Sequence, residues 1–175
     1  MAQTTHQGPV RSLSGFYSQG PNAVISISAA TATVNPANYA GKIINVTAAT
    51  TTITLPAVNA SANPVSSGPG QDPNTLNNLG ASYTFFIPAT ATAVKIITGT
   101  SDYLLGEIIL GPSAGGAASM FVADGAATRS VNLNGTTTGG IKGSYVTIVA
   151  TAANTYMVMG KLIGSGTLAT PFATS

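Results

Sequence analysis

General acid and base chemistry needs two titratable groups held within reach of one substrate. This 175-residue chain offers only His6 and the carboxylates Asp72, Asp102, Glu107 and Asp124. His6 stands in Thr4-Thr5-His6-Gln7, where nothing fixes it beside a serine and an orienting carboxylate as a triad requires. Asp102 and Glu107 lie five residues apart. On one strand that offset points them to opposite faces, so each reads as a turn or surface residue rather than half of a glycosidase pair. Asp72-Pro73-Asn74 has oxygen donors but lacks the further carboxylates of a calcium loop and reads as an Asx-Pro turn. There is no cysteine, which removes thiolate metal sites, thiol nucleophiles and disulfides.

Two glycine-rich segments come close to phosphate-binding patterns. Gly164-Ser165-Gly166-Thr167-Leu168-Ala169 fits the G-x-G-x-x-A spacing after an apolar run, but Pro171 follows at once. That leaves no helix whose N-terminus would hold a pyrophosphate. Gly135 to Lys142 resembles a P-loop, but the lysine comes one place late and Gly143 stands where a magnesium-binding Ser or Thr belongs. Both segments read as turns between strands. Tyr39, Tyr83, Tyr103, Tyr145 and Tyr156, with Phe85, Phe86, Phe121 and Phe172, occupy strand-like positions where aromatics serve as core or interface anchors more often than as a sugar platform. No catalytic residue, cofactor, metal or small-molecule substrate is expected, and the chain reads as a non-enzyme.

Charge excludes further classes. Six basic and four acidic side chains leave a net charge of +2, and Arg11, Lys42, Lys95, Arg129, Lys142 and Lys161 are scattered singly. Nucleic-acid binding through counterion release needs them clustered, so none is expected. No run approaches the ~20 apolar residues of a membrane span, and no membrane partner is expected. Met1 to Gly20 lacks the basic and apolar stretches of a secretion signal.

The elements that would hold these residues are strands. Twenty glycines and ten prolines leave few windows long enough for a helix. The windows that remain alternate with period two: Ile25 and Ile27 with Ser26 and Ser28, Ile44 and Val46 with Asn45 and Thr47, Ile53 and Leu55 with Thr52 and Thr54. Further strands are expected at Tyr83 to Ile87, Val94 to Thr98, Tyr103 to Leu110, Ser119 to Ala123, Ser130 to Leu133, Tyr145 to Ala150 and Tyr156 to Ile163. Turn residues such as Gly111-Pro112, Asp124-Gly125 and Asn134-Gly135 separate them. Short strands with such turns make an all-β sandwich or barrel. Tyr83 to Ile87 and Leu104 to Leu110 are apolar at both parities, which places them centrally or under a neighbouring subunit.

The expected organisation is an extended N-terminal arm over 1–21 and a single β-sandwich domain over 22–175, with a long loop at 59–80. Phe16 and Tyr17 stand in the otherwise polar arm with no core of their own and suit docking onto another subunit. Only 6% of residues are charged while 44% are hydrophobic, and the remaining polar residues are small. Such side chains desolvate cheaply and lose little rotamer entropy in repetitive packing, so the composition points to a self-assembling structural protein.

The segments Lys42-Ile43-Ile44-Asn45-Val46, Thr52-Ile53-Thr54-Leu55-Pro56 and Tyr83-Thr84-Phe85-Phe86-Ile87 carry a resemblance, together with Asp102 and Gly106, Asn134-Gly135-Thr136 and Tyr156-Met157-Val158-Met159-Gly160. Over Gly41 to Phe172 the chain resembles small β-rich virion proteins of tailed bacteriophages, particularly capsid decoration or cement proteins. A Trp often stands where this chain has Tyr156. The resemblance implies a jelly-roll-like β-sandwich of about eight to ten short antiparallel strands. It also implies a homotrimer on the outer capsid surface of the virion, bridging subunits of the major capsid protein. Arg11, Phe16 and Tyr17 would then be the capsid contacts. The alternative within the same class is a tail-fibre or receptor-binding spike that recognises host-surface glycans through the 59–80 loop.

Overall fold

Alternation of apolar residues with Thr, Ser and Asn becomes two β-sheets whose apolar faces meet. The structure is a computed structural model that describes residues 23–61, 75–99 and 101–175. Twelve strands occur among the described residues: β1 (Val24–Ile27), β2 (Thr31–Thr33), β3 (Lys42–Val46), β4 (Thr50–Thr54), β5 (Ser82–Phe86), β6 (Ala93–Ile97), β7 (Tyr103–Pro112), β8 (Ser119–Asp124), β9 (Ser130–Leu133), β10 (Tyr145–Ala152), β11 (Thr155–Gly164) and β12 (Phe172–Ala173). A seven-stranded sheet runs β1-β3-β5-β10-β11-β7-β8, and a five-stranded sheet runs β12-β9-β6-β4-β2. One helical turn, α1 (Pro36–Tyr39), is capped by the Asn35 side chain, which accepts from the Asn38 amide at 2.9 Å.

From β1 to β6 the chain changes sheet after every strand. Val24 lies opposite Ile43 and Thr31 opposite Thr52, so the first circuit through both sheets takes about twenty residues; the next, which contains the long loop, takes about forty, with Lys42 opposite Tyr83 and Thr50 opposite Ala93. Each return strand therefore lies parallel to its predecessor: β1 to β3, β3 to β5, β2 to β4 and β4 to β6. Parallel neighbours need a long crossover, usually a helix. Here the strand in the opposite sheet is that crossover. The β10–β11 hairpin, turning at Asn154 with φ 58°, then inserts between β5 and β7 and joins the two halves of the sheet.

The all-β, two-sheet architecture agrees with the sequence reading, but the expectation of wholly antiparallel strands is corrected. Five ladders are parallel, β11 with β7 being the fifth. A jelly roll winds antiparallel strands, so this connectivity is not that winding. Period-two alternation reports which face is buried and carries no information on strand direction, which depends on where each connection leads. Twelve strands replace the expected eight to ten because very short ones, β2 and β12, complete the edges of the smaller sheet.

The core is one cluster between the sheets. Ile44, Phe85, Ile108, Ile148 and Val158 enter it from the larger sheet, and Ile53, Val94, Ile96, Val131 and Leu133 from the smaller, all at 2% exposure or less. Gly106 lies opposite Val158 in the parallel β7–β11 ladder with φ +139°, and a Cβ there would stand 2.1 Å from the Val158 carbonyl oxygen. Only glycine permits both that conformation and that approach.

The 1–21 arm lies outside the described residues. So does the centre of the 59–80 loop, whose two ends are pinned together. The Asn78 carboxamide accepts from the Asn59 amide at 2.8 Å and donates to the Ala57 carbonyl at 2.8 Å, and the Asn59 side chain donates to the Thr75 carbonyl.

Urea unfolding tests this packing. Phe85→Ala is expected to cost roughly 3–5 kcal/mol by opening a cavity and Gly106→Ala roughly 1–3 kcal/mol by overpacking. Thr33→Ala, on the outer side of the smaller sheet, should stay within about 0.5 kcal/mol.

Candidate interaction surface

The residues with chemical potential are separated and individually engaged. His6 and Asp72 lie outside the described residues, as do Arg11, Phe16 and Tyr17. Asp102 is buried at 2% exposure. Its Oδ2 accepts from the Val58 amide at 3.1 Å, its backbone carbonyl accepts from the Thr98 hydroxyl at 2.7 Å, and its amide donates to Gly99. The residue pins the segment after β4 to the start of β7. Glu107 is exposed on the opposite face of β7, as their spacing requires.

Asp124 closes the turn after β8. Its Oδ1 accepts from the amides of Ala126, Ala127 and Thr128 at 3.0–3.2 Å and from the Thr128 hydroxyl at 3.1 Å. These backbone donors hold its carboxyl well below the usual carboxylate range. Among the described residues no cluster of three or more His, Asp or Glu could hold a metal ion.

The aromatics divide between core and surface. Tyr83 and Tyr156 are fully buried. Burial pushes the Tyr83 hydroxyl up to about 12. Burial raises Tyr156 as well, helped by the nearby Tyr83 and Asp102, and its hydroxyl donates to the Pro56 carbonyl at 2.6 Å. The Arg129 guanidinium lies 4.7 Å from the centre of the Tyr103 ring and donates to its hydroxyl at 3.0 Å.

The two glycine-rich segments bind each other. The Asn134 side chain accepts from the amides of Thr136 and Thr138, while the Gly135 amide donates to Gly139. The amides of Ser165 and Ala169 donate to the carbonyls of Thr136 and Thr137. The amides of Gly135, Thr136, Thr138, Ser165 and Ala169 are thus committed to a turn and to a clasp between β11 and the loop after β9.

What remains is a surface. The outer face of the seven-stranded sheet is read across by strand register. One row is Ser26, Asn45, Phe86, Tyr145, Lys161, Ile109 and Met120. The next is Val24, Ile43, Thr84, Thr147, Met159, Glu107 and Val122, and a shorter third is Ser82, Val149, Met157, Leu105 and Asp124. Val122 is 64% exposed, Met120 59% and Leu105 49%, and Ile43, Met159, Tyr145 and Ile109 also stand open. Two adjoining grooves of about 380 and 310 Å³ share Ile109, Tyr145 and Lys161 as lining. At the centre of the face the half-buried hydroxyls of Thr84 and Thr147 bond each other at 3.1 Å.

The smaller sheet differs. Its outer rows are Thr31, Thr52, Lys95 and Asn132, then Thr33, Thr54 and Ile97. The exposed Leu105, Ile109, Met120, Val122, Tyr145 and Met159 on β7, β8, β10 and β11, against a mainly threonine outer face on the smaller sheet, make this part of the larger sheet the candidate interaction surface. The sequence signal for it was apolar character at both parities, noted for β5 and β7. Met120, Val122, Met157 and Met159 were not recognised, because only the register places β8 and β11 beside β7.

Replacement of Asp124 by Asn keeps the acceptor and removes the charge. A carboxyl whose pKa is depressed on folding contributes stability above its unfolded pKa of about 3.9, and that contribution fades as pH falls through the lower folded value. Asp124→Asn should therefore be less stable than the native chain at pH 7, with the difference shrinking below about pH 4, as read by urea unfolding at both pH values. No protein-family model matches this chain, and no curated protein and no solved structure shows significant similarity to it.

Proposed function

We propose that this chain is a structural virion protein of a tailed bacteriophage, a decoration protein that binds the outer surface of the icosahedral capsid and bridges neighbouring capsid subunits. The apolar outer face of the seven-stranded sheet is the observation that carries the assembly part of this reading. Met120 and Val122, each more than half exposed in a chain with 6% charged residues, suit a protein that works inside a larger assembly. The capsid as partner rests on the resemblance of the strand segments to phage decoration proteins. The chain acts as a homo-oligomer, for which the resemblance implies a trimer, with the major capsid protein as its other partner.

The mechanism is mechanical. A protein that binds the assembled lattice and not the separate subunits stabilises the lattice by mass action, about 2.7 kcal/mol per site at a concentration a hundredfold above Kd. Rigidity serves this role, since a β-sandwich with a continuous core transmits load between its attachment points without rearranging. Attachment falls to the N-terminal arm, through Arg11, Phe16 and Tyr17.

Co-sedimentation with expanded phage shells lacking this protein tests the reading. The full chain is expected to bind saturably and to raise the temperature at which the shells disrupt, and removal of residues 1–21 should weaken binding by tenfold or more. Absence of binding by the intact chain overturns the proposal. A specific glycan-array signal lost on shortening the 59–80 loop would replace it with receptor recognition.

A further inference from the structure

We propose that Asn134 is a site of spontaneous deamidation that the folded loop after β9 holds shut, so that its conversion to aspartate or isoaspartate reports how often the clasp to β11 opens. The proposal goes beyond the assembly reading and does not depend on it.

Asn134-Gly135 is the only Asn-Gly pair in the sequence. Such a pair is chemically labile because the residue after the asparagine has no Cβ to obstruct the approach of its own nitrogen. A base from water takes the proton of the Gly135 amide, and the nitrogen attacks Cγ of Asn134. The N–Cγ bond forms, the Cγ–Nδ2 bond breaks and the leaving nitrogen takes a proton from water to depart as ammonia, which closes a five-membered succinimide. Water then adds to the ring. Opening at Cγ gives aspartate, and opening at the backbone carbonyl carbon gives isoaspartate, in which the main chain runs through Cβ and Cγ. The net reaction exchanges an amide for a carboxylate and ammonium, with water as co-reactant and no change of oxidation state.

The loop supplies half of what this reaction needs. Asn134 is exposed, so water reaches its carboxamide. Its Oδ1 accepts from the amides of Thr136 at 2.9 Å and Thr138 at 3.0 Å, donors that would stabilise the negative oxygen formed on attack. The other half is withheld, because the nucleophile is locked. Gly135 is buried, and its amide proton lies in a 2.8 Å hydrogen bond to the Gly139 carbonyl that must break before the nitrogen can attack. Nor can the peptide swing toward Cγ. Asn134 donates its own amide to the Thr138 hydroxyl at 3.1 Å and its Nδ2 to the Thr137 hydroxyl at 2.9 Å. Gly135 is seated so closely that a Cβ there would collide with the Ala91 carbonyl oxygen. The Ala91 amide donates to Gly140, and the Ser165 and Ala169 amides to Thr136 and Thr137, so the loop is held from the segment before β6 and from that after β11. Attack therefore waits on local opening, and the folded rate is the unfolded rate multiplied by the fraction of molecules with the clasp open.

The change is one-way. Isoaspartate adds a carbon to the main chain of a turn in which Gly135, Gly139 and Gly140 already lie against Ala91, Leu162 and Leu133 with no room for a Cβ. The isomerised loop cannot reseat on β11.

Peptide mapping by mass spectrometry, after incubation of the full chain in mildly alkaline buffer with and without urea, tests this. Asn134 should convert in urea, and the folded chain should convert at least about a hundredfold more slowly. Hydrogen exchange of the Gly135 amide in the folded chain should be slowed by the same factor to within about tenfold, because both processes need the same opening. Thr138→Val, which removes the acceptor of the Asn134 amide and keeps the side-chain shape, should speed the folded-state reaction about tenfold with an unchanged circular dichroism spectrum. A folded chain that deamidates at a rate closer to the unfolded one overturns the proposal, as does an Asn134 that stays intact in urea. Deamidation faster than the opening measured by exchange overturns it as well, since attack would then occur within the closed loop. A folded Thr138→Val without acceleration has the same force, and if that variant does not fold, the comparison of deamidation with exchange in the native chain decides alone.

Discussion

Two apolar sheet faces meeting with no helix between them is the constraint on which the rest of the structure depends. Each strand must then direct every second side chain inward, and among the described residues each sheet covers the inner face of the other. The chain meets this demand in its first half by visiting the sheets alternately, so that β1 and β2, β3 and β4, and β5 and β6 are covered as they are laid down. Ile44, Ile53, Phe85 and Ile96 come from successive visits and end in the same cluster. Burial on this scale is the main favourable term in a protein with few charges to contribute otherwise.

Polar groups are matched internally to a corresponding degree. Asp102 joins two loops, Asp124 gathers three amides of its own turn, and the Asn59 and Asn78 side chains hold the ends of a long loop together. The glycine-rich segments at 135–142 and 164–169 resolve into a clasp that ties β11 to the loop following β9. Groups that in another setting would approach a substrate here satisfy backbone donors and acceptors, which low-dielectric surroundings would otherwise penalise. Among the described residues, two buried hydroxyls, those of Tyr83 and Thr51, have no hydrogen-bond partner.

The two outer faces diverge because nothing in the core constrains them. One alternates Thr, Lys and Asn and needs no further cover. The other has Leu, Ile, Met, Val and Tyr at positions that a solvated strand would give to charged residues. The contrast between these two faces, more than any single side chain, is what supports the proposed role in assembly.

The sequence by itself determined the local elements. The alternation at Ile44 and Val46 or Ile53 and Leu55 marked which residues are buried, since a strand exposes one parity whatever its neighbours are, and the glycines and prolines marked where strands stop. Strand direction and order were decided only by the tertiary structure, because a three-residue link such as Ser28 to Ala30 can serve a hairpin or a crossing to the other sheet, and the choice depends on which face must be covered. The candidate surface was half legible for the same reason. Leu105 and Ile109 were visible as apolar residues out of phase with the core, whereas their union with Met120, Val122 and Met159 exists only in the register of β8, β7 and β11, in which the β7–β11 ladder joins residues about fifty positions apart.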